Sequence, residues 1–362
     1  MLELWRAGGP TTTTSAAVAR AVEAEGWDGQ MFMDSQSLSA DPYVTMGAWA
    51  VATERLKLCT GVTNPFTRHP AVTAASIATV QAISGGRAVL GIGRGDSALA
   101  YLGHAPVTLP AFARNLRDLQ ILLGGGQIAF TDGAASAEAP SLDTMSLGDR
   151  PTGYGLQWLP EGLAKAPLDV AATGPKVIEM AAPVAERLTF SVGAITDRID
   201  WALGIARAAR ARQGLADAGV SYGAQIIVVC HSDRAHARQM ASSYVAPLAR
   251  FQVIQKDAAG PKSGSDAANF AAIREGYDMT KHSKNDATTK LVGAALTDDF
   301  IDRFAIAGPP DHCIARLLQL IACGLDRFVI VGPGDHAEAR SGGPGLFAAE
   351  VMPALRSAAA RG

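Results

Sequence analysis

The chain is poor in cysteine, in charge and in aromatic residues. Four cysteines occur in 362 residues, at Cys59, Cys230, Cys313 and Cys323, with no CxxC pair and the nearest two ten positions apart. That spacing supports neither a disulfide framework nor a metal knuckle, so no metal is expected. Cys59 and Cys230 sit inside apolar, strand-like runs, where a buried free thiol is the natural reading. Charged residues make up 18% of the chain, and 32 basic against 34 acidic side chains leave a net charge of −2. A balance this close to neutral gives no electrostatic footing for nucleic acid or for an anionic membrane surface. No run of eighteen apolar residues offers a membrane span. No basic segment followed by an apolar stretch opens the chain, so no signal peptide is expected and a cytoplasmic location is the default. HExxH, GxSxG, a Cys–His pairing and paired-carboxylate spacing are all missing. With no evident metal, nucleophile or acid–base pair, the chemistry falls to a cofactor.

What is present is a rhythm. Apolar content is 48%, enough for a large core. Strand-like runs at 2–7, 29–34, 56–63, 87–92, 168–173, 188–192, 224–231 and 327–331 alternate with Ala-rich helical patterns. The helical segments are 15–25, 43–53, 71–83, 111–123, 176–186, 198–212, 234–251 and 310–323, with a last one at 345–360. Asp41-Pro42 and His69-Pro70 place proline in a first turn, and Gly26, Gly124 and Gly324 mark helix ends. Alternating strands and helices imply a parallel sheet. Eight such units favour an α/β fold of the closed (β/α)8 TIM-barrel type over an open doubly wound sheet, with the chain folding as one domain. Two segments, at about 124–167 and 257–295, break the rhythm and read as insertions that cap or line the ligand face.

In such a barrel the site forms at the C-terminal ends of the strands, and the unusual residues gather there. The third strand runs into Gly61-Val62-Thr63-Asn64-Pro65, which brings backbone and small polar groups to the barrel mouth. Asp34 ends the apolar run Met31-Phe32-Met33 and is either a site residue or a cap for the next loop, with Gln36 two positions on. Gly91-Ile-Gly-Arg-Gly-Asp96 is GxGxG rather than the dinucleotide GxGxxG, and it follows the fourth strand. It serves as a backbone cradle for a phosphate or ring edge, with Arg94 as an anion partner, or else as a plain tight turn. Thr173-Gly174-Pro175-Lys176 opens a helix, so it is a phosphate site or a helix cap with a solvated lysine. Arg68 is an anion ligand or a surface ion pair. His104, His231, His236, His312 and His336 have no nameable partner and read as structural or solvated.

Four stretches together resemble the bacterial-luciferase-like superfamily of flavin- and deazaflavin-dependent oxidoreductases, within it the methylenetetrahydromethanopterin reductase branch. They are Thr60-Gly-Val-Thr-Asn-Pro-Phe-Thr-Arg-His-Pro70, Ser84-Gly-Gly-Arg-Ala-Val-Leu-Gly-Ile-Gly-Arg-Gly-Asp96, Ala171-Ala-Thr-Gly-Pro-Lys176 and Phe304-Ala-Ile-Ala-Gly-Pro309. The resemblance implies a barrel whose mouth holds a cofactor ring, backed by a non-proline cis peptide at Gly61-Val62 with Thr63 and Asn64 beside it. Gly93, Arg94, Gly95 and Asp96, with Thr173, Gly174, Pro175 and Lys176, would hold the cofactor's phosphate and side chain. Asp34, Gln36 and Asn64 would orient the substrate, and Asp34 would also contact the ring. The cofactor implied is coenzyme F420, a deazaflavin that exchanges hydride with a small organic substrate. The alternatives are an FMN-dependent monooxygenase fed by a separate flavin or deazaflavin reductase, and a flavin-binding protein without turnover. Members of the superfamily often pair, which implies a homodimer. One departure stands out: deazaflavin-dependent members commonly carry Asp-His after the second strand, and this chain has Asp34-Ser35-Gln36, which weakens an alcohol or sugar-phosphate dehydrogenase reading.

Overall fold

Eight parallel strands close on themselves in chain order. The computed structural model describes residues 1–9, 15–130, 140–254, 257–282, 296–331 and 345–361. In sequence the strands are β1 (Glu3–Gly8), β2 (Gly29–Phe32), β3 (Lys57–Thr60), β4 (Ala88–Ile92), β5 (Gln127–Ala129), β6 (Gly153–Gly155), β7 (Leu168–Ala172), β8 (Arg187–Phe190), β9 (Ser221–Cys230), β10 (Ile306–Gly308) and β11 (Arg327–Val331). The ladder runs β1-β2-β3-β4-β7-β8-β9-β11 and returns to β1, so no barrel edge is left unpaired. This is the barrel that the alternation implied, and the eight expected strands are its staves.

Side chains alternate along each stave, as the two-residue period of a strand requires. Trp5, Met31, Cys59, Val89 and Val329 point into the barrel. Leu4, Phe32, Leu58, Leu90, Val170, Leu188, Ile226 and Phe328 point outward and are covered by the helices. Gly29 is paired with Trp5, and a Cβ there would lie 2.3 Å from the indole, so only glycine lets that ring fill the interior. The N-terminal end of the barrel is closed by charge rather than by branched aliphatics. Asp169 pairs with Arg327 at 2.9 Å and accepts from Thr189 at 2.7 Å; Glu3 bonds Arg187 at 2.5 Å and also pairs with Lys57. Gly223 makes room for Arg327, whose guanidinium would lie 2.7 Å from a Cβ at that position. Burial alone would raise the Glu3 carboxyl, but Arg187 and Lys57 outweigh it and hold it at about 2.

The helices begin where the sequence places them. Asp41 caps Pro42–Ala52 by accepting from the Tyr43 and Val44 amides at 2.8 and 3.1 Å, and His69 caps Pro70–Ile83 through Nδ1 at 3.2 Å. Gly324 ends Pro310–Cys323 at φ 113°.

Several elements lie outside the expected set. The first insertion folds back on itself as the antiparallel ribbon β5–β6. In the second, Gly264–Gly276 is a helix with a reciprocal cap: Ser263 Oγ accepts from the Asp266 amide and Asp266 accepts from the Ser263 amide. Phe270 on that helix meets Phe300 edge-on at 5.3 Å, next to Asp298–Phe304, and a second core forms there with Ile227 and Val229 of β9. Residues 283–295 of this insertion and 131–139 of the first lie outside the described residues. The short strand β10 extends the ladder beside Val228–Cys230. Among the described residues no helix is long and apolar enough to cross a membrane, and no cluster of three metal-ligating side chains occurs.

Candidate functional site

The C-terminal ends of β2, β3, β4 and β7 are neighbours in the sheet, so the loops that follow them share one rim. After β3 the peptide bond between Gly61 and Val62 is cis. Its surroundings lock it to β2 and β4: the Gly61 amide donates to the Phe32 carbonyl at 2.6 Å, the Thr63 amide to Gly91 at 3.0 Å and the Gly93 amide to Thr63 at 2.9 Å. Asn64 is fully buried, and its Oδ1 accepts from the Phe66 and Thr67 amides at 3.0 Å each. Its carbonyl is therefore spent on holding the turn, while its Nδ2 has no partner among the described residues. Gly95, at φ 83°, lies over it, and a Cβ there would be 2.9 Å from the Asn64 Cβ. Gly93 lies against Val62, at 3.0 Å from Val62 Cγ2 for a notional Cβ. Small residues on both turns thus leave the backbone around the cis bond uncovered.

Asp34 and Gln36 come together. Asp34, only 3% exposed, accepts from Gln36 Nε2 at 2.7 Å on one oxygen and from Arg68 Nη1 at 2.5 Å on the other. Arg68 also bonds Asp41 at 2.8 Å, and its guanidinium lies 5.0 Å from the Tyr43 ring centre. Burial alone would lower the Arg68 pKa, but the two carboxylates outweigh it and hold it above its ordinary value. Burial, reinforced by the Asp34 charge, pushes the Tyr43 phenol well up, so its hydroxyl keeps its proton beside the Thr63 hydroxyl. Arg68 is thus an inner partner of Asp34, and Tyr43, which was no sequence candidate, joins the cluster.

Across the rim, Arg94 Nε donates to the Val107 carbonyl at 2.7 Å, which ties the β4 turn to the loop beyond it. Burial raises the Asp96 carboxyl above its ordinary range against the pull of Arg250 and Arg94. Ser97, next in the chain, accepts from Arg250 Nη2 at 2.8 Å and pairs with His282 Nε2 at 2.9 Å; His282 Nδ1 in turn pairs with the Tyr277 hydroxyl. Tyr101 donates to the Met279 carbonyl at 2.7 Å, so the second insertion is fastened to the rim at two points. Burial, then the Arg250 charge, press His282 down to about 4, and it is neutral at pH 7. Neither Arg250 nor His282 stood among the sequence candidates. Arg250 ends an expected helix and His282 lies in the second insertion, and neither carries a motif.

Thr173 and Gly174 follow β7, next to β4, and Pro175–Ala181 is a helix of seven residues with no side-chain cap. Thr173 is half-buried and Lys176 exposed.

The chain belongs to the luciferase-like monooxygenase family, whose model matches residues 4–327. It is 28% identical over 322 residues to 5,10-methylenetetrahydromethanopterin reductase of Methanolobus tindarius, covering 86% of this chain and 87% of that one. Among solved structures it resembles the coenzyme F420-dependent tetrahydromethanopterin reductase of Methanopyrus kandleri, with a TM-score of 0.73, 21% identity and coverage of 98% and 99%. An F420-dependent secondary alcohol dehydrogenase with a bound F420–acetone adduct has a TM-score of 0.71, 17% identity and coverage of 98% and 99%.

Proposed function

We propose that this protein is an oxidoreductase that passes hydride between coenzyme F420 and a small organic substrate. The observation that carries the reading is the rim at β3 and β4: a half-buried cis peptide at Gly61–Val62 with Gly93 against Val62, which leaves backbone open to a flat ring. The likeness along nearly the whole chain to a coenzyme F420-dependent reductase and an F420-dependent alcohol dehydrogenase supports the deazaflavin over FMN. When bound, the deazaflavin supplies a two-electron hydride carrier.

The residues present fit such a group. Gly61, Val62, Thr63 and Asn64 form the wall behind the ring, with the half-buried Gly61–Val62 backbone facing it and the buried Asn64 holding the turn. Gly93, Arg94, Gly95 and Asp96 stand next to that wall, and Thr173, Gly174, Pro175 and Lys176 beyond them on the neighbouring strand, with Lys176 and Arg94 as cations for a phosphate. Asp34 and Gln36 stand on the substrate side, where Arg68 fixes the Asp34 carboxylate. The apolar barrel wall below excludes water from the reacting face.

The protein also presents a surface suited to a second copy of itself. The neighbouring helices Pro42–Ala52 and Pro70–Ile83 contain no charged residue, and Val44 and Val51 are 75% and 76% exposed. An uncharged apolar face is self-complementary across a two-fold axis, which supports a homodimer.

Titration of the purified protein with coenzyme F420 and with FMN, followed by fluorescence, tests the cofactor. Saturable micromolar binding of F420 is expected. Tight binding of FMN with none of F420 would overturn the reading in favour of a flavin monooxygenase.

A further inference from the structure

Arginines elsewhere in this fold clamp carbonyl oxygens or pair with carboxylates. Arg87 donates to the carbonyls of Ala50, Thr53, Leu56 and Ser84. Arg198, 1% exposed, bonds the Pro261 and Ala259 carbonyls and the Gln252 amide oxygen. Arg327 has Asp169.

Arg250 is different. It is 7% exposed, yet among the described residues its polar neighbours are neutral: Ser97 Oγ accepts from it at 2.8 Å, and Tyr277, whose hydroxyl pairs with His282, lies beside it. Its Nε has no partner, and among the described residues it forms no ion pair. Its guanidinium lies 4.7 and 5.2 Å from the Phe251 and Tyr277 ring centres. Five N–H donors on a buried cation cannot be satisfied by two hydroxyls, and a buried charge without a counter-charge is costly. The acidic side chain nearest in effect, Asp96, is itself half-buried and makes no contact with it. His282 beside it adds no charge at neutral pH. The group sits next to Ser97, directly after β4, on the rim that the ligand reading uses.

We propose that Arg250, with the Ser97 and Tyr277 hydroxyls, is a binding site for an oxyanion, a carboxylate or phosphate group carried by a ligand at the barrel mouth. The planar guanidinium offers a two-point fork to such a group, and the aromatic rings on which it lies keep it from turning away. The site rests on the rim being the ligand face, and it is independent of which cofactor lies there.

The test uses the full chain, with inorganic phosphate, acetate and coenzyme F420 as probes. Phosphate and acetate are titrated calorimetrically into wild type, Arg250→Gln and Arg250→Lys, and F420 is titrated by fluorescence with and without phosphate. Wild type should bind at least one small anion saturably. Arg250→Gln should weaken that binding about tenfold or more, with Arg250→Lys between the two. If F420 affinity falls in parallel and phosphate competes with F420, the oxyanion belongs to the coenzyme. If F420 affinity holds and phosphate does not compete, it belongs to the substrate. Without added anion, Arg250→Gln should unfold at the wild-type temperature or above, because an uncompensated charge has been removed. Ser97→Ala should also weaken the anion, as an independent check that leaves the Arg250 charge in place. Anion binding that is absent in wild type, or equal in wild type and in the variants, would overturn the proposal, as would marked destabilisation by Arg250→Gln. F420 failing to bind wild type would count against the proposed function and leave the phosphate titration to decide this site.

Discussion

Asp34 and Arg68 form one ion pair, yet removing either side should cost very different amounts. Asp34→Ala takes away a buried carboxylate, but Arg68 keeps Asp41 at 2.8 Å and its place over Tyr43. The loss is then two hydrogen bonds with their donors left partly served, about 1–2 kcal/mol. Arg68→Met keeps the packing over Tyr43 and leaves Asp34, 3% exposed, with the Gln36 amide alone. An uncompensated buried charge of that kind costs about 3–5 kcal/mol. Urea and thermal unfolding of both variants at pH 7 should therefore rank Arg68→Met well below Asp34→Ala. Asp34→Ala should fold and yet lose turnover or coenzyme affinity. Equal destabilisation, or a larger loss for Asp34→Ala, would refute the claim that Arg68 holds Asp34 in place and would make Asp34 a structural residue.

Other parts of the molecule yield sharper stability tests. Glu3 has its pKa lowered from 4.5 to about 2 in the folded state, so the pair with Arg187 contributes fully above about pH 4.5 and is lost as pH falls toward 2. The drop is equivalent to about 3 kcal/mol, and the stability difference between wild type and Glu3→Gln should shrink over that window in an acid titration. Gly29→Ala should destabilise by about 1–3 kcal/mol in thermal unfolding, since its Cβ would lie 2.3 Å from the Trp5 indole, and Trp5→Leu in the same chain should recover part of the loss. If the proposed pairing holds, wild type should sediment as a dimer and Val51→Glu, on the uncharged face of Pro42–Ala52, as a monomer in analytical ultracentrifugation, with no change in circular dichroism.

The barrel was legible because its signals are local. Each stave is a short run with a two-residue period, each helix a longer run with proline or a small polar residue at its start, and the units recur in order. The rim was legible in the same way as far as it is built of glycines at strand ends, where a short motif such as Gly91–Asp96 marks the need for close backbone approach. What stayed hidden has no local period. β10 is three residues long, too short to alternate, and becomes a strand only because Val228–Cys230 offers it an open ladder. The helix Gly264–Gly276 lies in a polar stretch, and what fixes it is a cap together with Phe270 meeting Phe300, thirty positions away.

The same reasoning separates the two halves of the candidate site. The Asp34 half was within reach, because Asp34 and Gln36 are two residues apart and Arg68 follows the turn that carries the cis bond. The choice for Arg68 between an anion ligand and a surface ion pair stayed open for want of burial, which no sequence window reports; only the approach of β2 to β3 puts Asp34 beneath it. The Arg250 half was out of reach by construction. Ser97 meets Arg250 across 153 positions and His282 across 185, and each residue is unremarkable in its own segment: a helix end, a loop, a short helix start. Strand ends set the proposed cofactor wall by backbone, which glycine patterns reveal. Long insertions reach back over the mouth with single side chains, and these leave no pattern at all. Differences in ligand choice between proteins sharing this barrel should therefore reside in the second group, in residues such as Arg250 that the fold carries at a cost to its own stability.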